Sequence, residues 1–129
     1  MTAKPMVLVI DDNDMMRKLL ATELAQDPTL NVEQAATGAE GLEKAQIPEC
    51  AVIILDMMLP DTDGLRFIEE LKARRASDLP SIIVITGASE TLVPDAMVEA
   101  PYRGLVSAVF RKPFDHARLL ETVKFCLTT

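Results

Sequence analysis

Five short apolar runs alternate with longer stretches of helical spacing along the 129 residues, and this alternation constrains the fold more than any other feature. The runs are Met6 to Ile10, Leu30 to Ala35 (the least pure), Ala51 to Leu55, Ser81 to Ile85 and Val106 to Phe110. Three of them are almost unbroken Val, Ile and Leu. A strand with one wet face would alternate apolar and polar residues, so these runs predict strands covered on both faces, as in a parallel sheet. Between them, Met16, Leu20 and Leu24 recur every fourth residue and predict a helix stripe facing the sheet. Thr37-Gly38-Ala39-Glu40 has the form of a capping box opening a short helix through Leu42 and Ala45. Asp63 can cap a helix in which Leu65, Ile68 and Leu71 point inward. A last helix, from about Asp115, would bury Leu119, Leu120, Val123 and Leu127. Five such units in succession predict a doubly wound α/β domain with right-handed crossovers. The fourth unit is the least regular: Pro94 suits the first turn of a helix running to about Ala100, which Pro101 would end.

Length and composition narrow what this fold can be used for. One compact domain spanning residues 1–129 is expected, with 49% hydrophobic and 26% charged residues sufficient for a packed core. Thirteen basic residues against twenty acidic ones give a net charge of -7, the wrong sign for a surface that must neutralise nucleic-acid phosphates. The one basic run, Lys72-Ala73-Arg74-Arg75, is explained as well by a solvated helix end. Direct nucleic-acid binding is therefore not expected. Cys50 and Cys126 stand far apart among apolar neighbours and read as small buried hydrophobes in a reducing compartment. Asp11 and Asp12 interrupt the N-terminal apolar run too early for a secretory signal. The longest apolar stretch, Cys50 to Leu59, is short and carries Asp56 in its middle, so no membrane span and a cytoplasmic location are expected.

Ligands of open α/β sheets bind outside the carboxyl ends of the strands, so the strand exits matter most. The first strand exits into Asp11-Asp12, the third into Asp56, the fourth into Thr86-Gly87 and the fifth into Lys112-Pro113. Three carboxylates brought together repel one another, and a hard divalent cation such as Mg2+ with oxygen ligands relieves that repulsion. Lys112 would add a point charge for a phosphate and Thr86 a hydroxyl donor. A carboxylate nucleophile, Mg2+ and a lysine suffice for phosphoryl transfer, where positioning and charge neutralisation do most of the work. Each residue alone has a plainer explanation: an Asp pair is often a turn or cap, Thr-Gly is common turn chemistry, and Lys before Pro is often solvated. Asp56 is harder to explain away, because a carboxylate in an apolar run is costly without partners. Asp14, Asp61 and Asp63 are expected as caps and loop residues, and His116 as a surface residue of the last helix.

Four blocks then stand in order: Val9-Ile10-Asp11-Asp12, Ile53-Ile54-Leu55-Asp56-Met57-Met58-Leu59-Pro60-Asp61-Thr62-Asp63-Gly64, Ile85-Thr86-Gly87 and Arg111-Lys112-Pro113-Phe114. With them the chain resembles the response-regulator receiver family of two-component signalling over essentially its whole length. The resemblance implies a flavodoxin-like sheet of order 2-1-3-4-5 with five flanking helices. It implies that Asp56 accepts a phosphoryl group from a phosphohistidine on a histidine kinase or histidine phosphotransfer protein. It also implies that Asp12, Asp56 and the backbone carbonyl of Met58 bind Mg2+, with Asp11 acting mainly through water. Lys112 would hold a phosphoryl oxygen across a cis bond to Pro113, and Thr86 would swing toward the phosphoryl group and shift a surface read by a downstream protein. Homodimer formation through the fourth and fifth units is left open.

Two departures from the family pattern bear on that last step. Val109 stands three places before the lysine, where relatives commonly carry Tyr or Phe, and Phe110 beside it is expected on the opposite face of its strand. The stretch from Thr86 to Lys112 is longer than usual, so the helix within it is expected to be short, displaced or mobile. Among alternatives, an aspartate-nucleophile phosphohydrolase of the haloacid-dehalogenase type needs a second acid two residues after the nucleophile, where Met58 stands. Nucleotide binding lacks its Gly-rich loop after the first strand. A phosphorylation-independent interaction module that retains the motif is the remaining competitor.

Overall fold

The structure, a computed structural model, describes residues 4–75, 77–87 and 105–128. In chain order the elements are β1 (Met6–Ile10), α1 (Asp14–Leu24), β2 (Asn31–Ala35), α2 (Gly38–Lys44), β3 (Cys50–Asp56), α3 (Gly64–Arg74), β4 (Ser81–Thr86), β5 (Val106–Arg111) and α4 (His116–Thr128). The strands form one sheet in the order β2-β1-β3-β4-β5, every neighbouring pair parallel. This is the expected doubly wound topology, with strand limits within a residue of those read from the apolar runs. Four helices, not five, are present among the described residues. The helix expected between β4 and β5, with Pro94 and Pro101, lies outside them.

The unbroken apolar runs become the buried middle of the sheet because alternate residues of a strand point to opposite faces, and both faces are covered. On one face Leu8, Ile10, Ile53, Leu55, Ile82 and Val84 pack against Leu42 of α2 and Phe67, Ile68 and Leu71 of α3. On the other, Val7, Val9, Val52, Ile54, Ile83 and Ile85 meet Leu20 and Leu24 of α1 and Leu119 and Val123 of α4. Each fully buried Val, Leu or Ile contributes roughly 1.5–3 kcal/mol, so the two cores fix both strand order and strand direction. Phe67, absent from the expected α3 stripe, is fully buried and is the largest such side chain. It is accommodated at Gly41 of α2, where a Cβ would lie 2.5 Å from Ile10 Cδ1 and 3.3 Å from Phe67 Cε2. The helix can press onto β1 only because that position has no side chain.

The helix starts are capped as their sequences suggest, with one difference. Asp63 accepts from Arg66 N at 2.9 Å, and Thr37 from Glu40 N at 3.2 Å. The reciprocal half of the expected capping box is shifted: Glu40 accepts from Ala36 N (2.9 Å), one residue upstream of Thr37. Asn13 caps α1, accepting from Met16 N at 3.0 Å. The cap is therefore neither Asp11 nor Asp12, although Asp11 does fill the turn role expected of the pair, its Oδ1 accepting from Asn13 N at 2.9 Å.

Candidate functional site

Register decides which strand exits meet. Ile10 lies opposite Leu55, Asp56 opposite Ile85, and Thr86 opposite Arg111, so the last residues of β1, β3, β4 and β5 end at one edge. Asp11 and Asp12 leave β1 there, Asp56 closes β3, Thr86 closes β4, and Lys112 follows β5. Carboxylate oxygens of Asp11, Asp12 and Asp56 all lie within 4.8 Å of one another. Lys112 Nζ is 3.3 Å from Asp56 Oδ2 and 4.0 Å from Asp11 Oδ2. The Lys112–Pro113 peptide bond is cis, and Lys112 N donates to the Thr86 carbonyl at 2.8 Å. Thr86 is fully buried. The Met58 N–H donates to Asp56 Oδ1 at 3.0 Å, while the Met58 side chain is 63% exposed.

The electrostatics of this group are unbalanced. Asp11 and Asp56 are 1% and 6% exposed, whereas Asp12 is open to solvent. Burial pushes the Asp11 carboxyl up to about 6; a hydrogen bond from Asn13 N opposes this, the Asp56 carboxylate adds to it, and Lys112 offsets it in part. Asp11 Oδ2 is buried and accepts no hydrogen bond among the described residues. A native buried carboxylate oxygen without a hydrogen bond is unusual, because leaving it so costs about 1–3 kcal/mol. Three carboxylates facing one ammonium leave two charges uncompensated. A hard divalent cation with oxygen ligands matches both the orphaned oxygen and the charge, so these residues fit Mg2+.

The loop after Asp56 is tied down as a unit. Gly64 N donates to Met57 O at 3.0 Å and Leu59 N to Thr62 O at 3.2 Å. Asp61, expected only as a loop residue, accepts from Gly38 N (2.8 Å) and Ala39 N (2.9 Å), and these bonds hold its carboxyl below the usual range. It thus anchors the Asp56–Gly64 loop to the start of α2. Arg17 was also not singled out from the sequence, although its guanidinium reaches the Asp11 carbonyl at 2.9 Å. Its spacing from Asp14 shows only an ordinary helical ion pair; the Asp11 contact depends on how α1 leaves the sheet.

Other expected residues fall as follows. Asp14 opens α1 and pairs with Arg17, and Asp63 caps α3. His116 is more engaged than a free surface residue: Nδ1 lies 3.1 Å from Glu23 Oε1 of α1, and its ring stacks on Phe114 with centroids 5.0 Å apart. Val109 packs into the α2–α3 face of the core and Phe110 into the α1–α4 face, so the two do sit on opposite sides of β5. Phe110 meets Phe114 edge-on at 6.0 Å. Cys50 is buried as expected and its thiol is pushed up to about 11 by desolvation, but Cys126 is only half-buried. Ala88 lies outside the described residues.

Comparison with known proteins agrees with this geometry. The profile of the response regulator receiver domain matches residues 7–124. A protein-glutamate methylesterase/protein-glutamine glutaminase of Desulfitobacterium hafniense is 35% identical over 104 residues, which are 80% of this chain and 26% of that protein. The response regulator ArlR of Staphylococcus aureus is 31% identical over 121 residues, covering 94% of this chain and 52% of ArlR. The chain thus spans between a quarter and about half of the curated relatives named. A CheY-like receiver domain from Methanospirillum hungatei superimposes with a TM-score of 0.79 at 25% identity, covering 98% of this chain and 95% of that one. A signal receiver domain from Vibrio parahaemolyticus, 21% identical, shares the fold with a TM-score of 0.81 over 98% of this chain and 92% of that one. No helix among the described residues is long and apolar enough to cross a membrane. A parallel sheet of order 2-1-3-4-5, acids gathered at its carboxyl edge and a profile match over nearly the whole length together make this chain a member of the response regulator receiver domain family of two-component systems.

Proposed function

We propose that residues 1–129 form one receiver domain in which Asp56 accepts a phosphoryl group from a phosphohistidine of a histidine kinase or histidine phosphotransfer protein, with Mg2+ required. The observation that carries this reading is the meeting of three carboxylates within 4.8 Å of one another, with an ammonium 3.3 Å from Asp56. Mg2+, when bound, would neutralise charge between the carboxylates and the incoming phosphoryl oxygens. Asp11, Asp12, Asp56 and the Met58 carbonyl would hold it. An Asp56 oxygen attacks phosphorus, an acyl phosphate O–P bond forms, the N–P bond breaks, and the imidazole leaves with the electron pair and takes up a proton. The Met58 N–H orients Asp56 for this attack through its bond to Oδ1. Lys112 would receive a phosphoryl oxygen as the charge on Asp56 is used, and Thr86 would donate its hydroxyl to another. The output is a changed protein-binding surface read by a downstream protein or a second copy, without direct nucleic-acid contact, in the cytoplasm where such donors act.

Val109 in place of an aromatic favours one competing reading, a binding module that works without phosphorylation. Incubation with phosphoramidate or acetyl phosphate and Mg2+, followed by intact mass, separates the two. A Mg2+-dependent gain of one phosphoryl in wild type and none in Asp56→Asn is expected. Folded wild type that gains nothing from either donor would leave only the phosphorylation-independent module.

A further inference from the structure

Arg17 is the least exposed cation of any ion pair among the described residues, its side chain 11% exposed. It sits in the first turns of α1, where the helix dipole disfavours a positive charge, and of its three contacts only the i,i+3 pair with Asp14 lies within the helix. Its guanidinium is fully committed along one side. NH1 donates to the Asp11 carbonyl at 2.9 Å, Nε to Gln34 Oε1 of β2 at 3.2 Å, and NH2 pairs with Asp14 Oδ1 at 2.7 Å. The planar fork thereby joins α1 to the end of β2 and to the residue at which β1 leaves the sheet.

The effect on Asp11 is specific. Its N–H donates to Ala35 O at 3.1 Å, its carbonyl accepts from Arg17, and its Oδ1 accepts from Asn13 N at 2.9 Å. Every polar atom of Asp11 except Oδ2 is therefore held by a hydrogen bond; buried Oδ2 accepts none among the described residues and has only Lys112 Nζ at 4.0 Å. Releasing the carbonyl would free the Asp11–Asn13 turn to rotate, and both carboxylates it carries would move with it.

We propose that Arg17 is a positioning residue of the metal site: by gripping the Asp11 peptide it fixes the Asp11 and Asp12 carboxylates in the pose that receives Mg2+. This rests on the reading of the acidic cluster as a Mg2+ site. Charge and positioning act in opposite directions here, which makes the proposal decidable. If Arg17 mattered only as a charge, its removal would strengthen binding of a cation nearby. If it positions the ligands, its removal weakens binding, by roughly 10–100-fold as for other groups that orient metal ligands.

The test is Mg2+ titration by calorimetry on the full chain, with urea unfolding run in parallel, for wild type, Arg17→Met, Arg17→Lys and Gln34→Ala. Arg17→Met is expected to bind Mg2+ at least about tenfold more weakly, with phosphoramidate uptake returning toward the wild-type rate at saturating Mg2+. Arg17→Lys keeps the charge but cannot serve three partners in a plane, so it is expected to lie between wild type and Arg17→Met. Arg17→Met that is less stable yet binds Mg2+ as tightly as wild type, or more tightly, overturns the proposal. If Arg17→Met does not fold, Arg17→Lys decides by the same criterion. Absence of Mg2+ binding in wild type itself would overturn the metal-site reading, and this proposal with it.

Discussion

Asp11 should make the metal-free protein less stable as the pH rises from about 4 to about 7, opposite to the usual behaviour of an acidic protein on leaving acid. Its carboxyl titrates near 6 in the folded chain against 3.8 in an unfolded one, because burial and the Asp56 carboxylate disfavour its charge. Between those values the folded state holds a proton that the unfolded state has lost. Unfolding therefore becomes easier with rising pH through this window and levels off above it. Two-state linkage over this shift of about two units gives a loss of about 2 kcal/mol between pH about 4.5 and pH about 7.5. Asp11→Asn removes this dependence. Urea unfolding in a chelator, followed by far-ultraviolet circular dichroism at both pH values, gives the difference between wild type and variant, and titrations common to both cancel. Added Mg2+ should return the loss at pH about 7.5, since ligand at about twenty times its Kd stabilises by roughly 1.8 kcal/mol. Parallel pH profiles for wild type and Asp11→Asn would refute the reasoning.

Three further outcomes follow from particular side chains. Met58 offers an exposed thioether and no hydrogen bond to orient attacking water beside Asp56, so the acyl phosphate should persist for minutes or longer in purified protein, and Met58→Asn should shorten it. Intact-mass time courses check both, and a wild-type lifetime of seconds counts against the argument. Phe67→Ala should cost about 3–5 kcal/mol in urea unfolding, because it empties the best-buried aromatic site between α3 and β1; a loss under about 1 kcal/mol would mean that Gly41 and Ile10 close the space. Maleimide should label half-buried Cys126 in native protein long before Cys50, whose buried thiol is held protonated well above neutral pH; equal labelling rates in peptide mapping would contradict this.

Much of this architecture was legible in one dimension. The Val/Ile/Leu runs marked strands buried on both faces, and the Met16, Leu20 and Leu24 stripe marked a helix lying on the sheet. The acids at the strand exits marked the edge where chemistry could occur. The stripe is a helical period, the runs are unbroken over the length of one strand, and the acids stand at the ends of those runs, so all three are short-range features of single elements.

What only the tertiary structure decided are the contacts that such periods cannot encode. Phe67 falls outside the expected stripe of α3, yet it is fully buried because α2 approaches at Gly41. The grip of Arg17 on Asp11 and Gln34, the bond from Asp61 to the start of α2, and the His116–Glu23 pair join residues 6, 17, 22, 23 and 93 positions apart. The orphaned oxygen of Asp11 appears only once those neighbours are in place. Strand register brings such groups within a few ångströms, whereas short-range spacing specifies only which face of an element each one occupies.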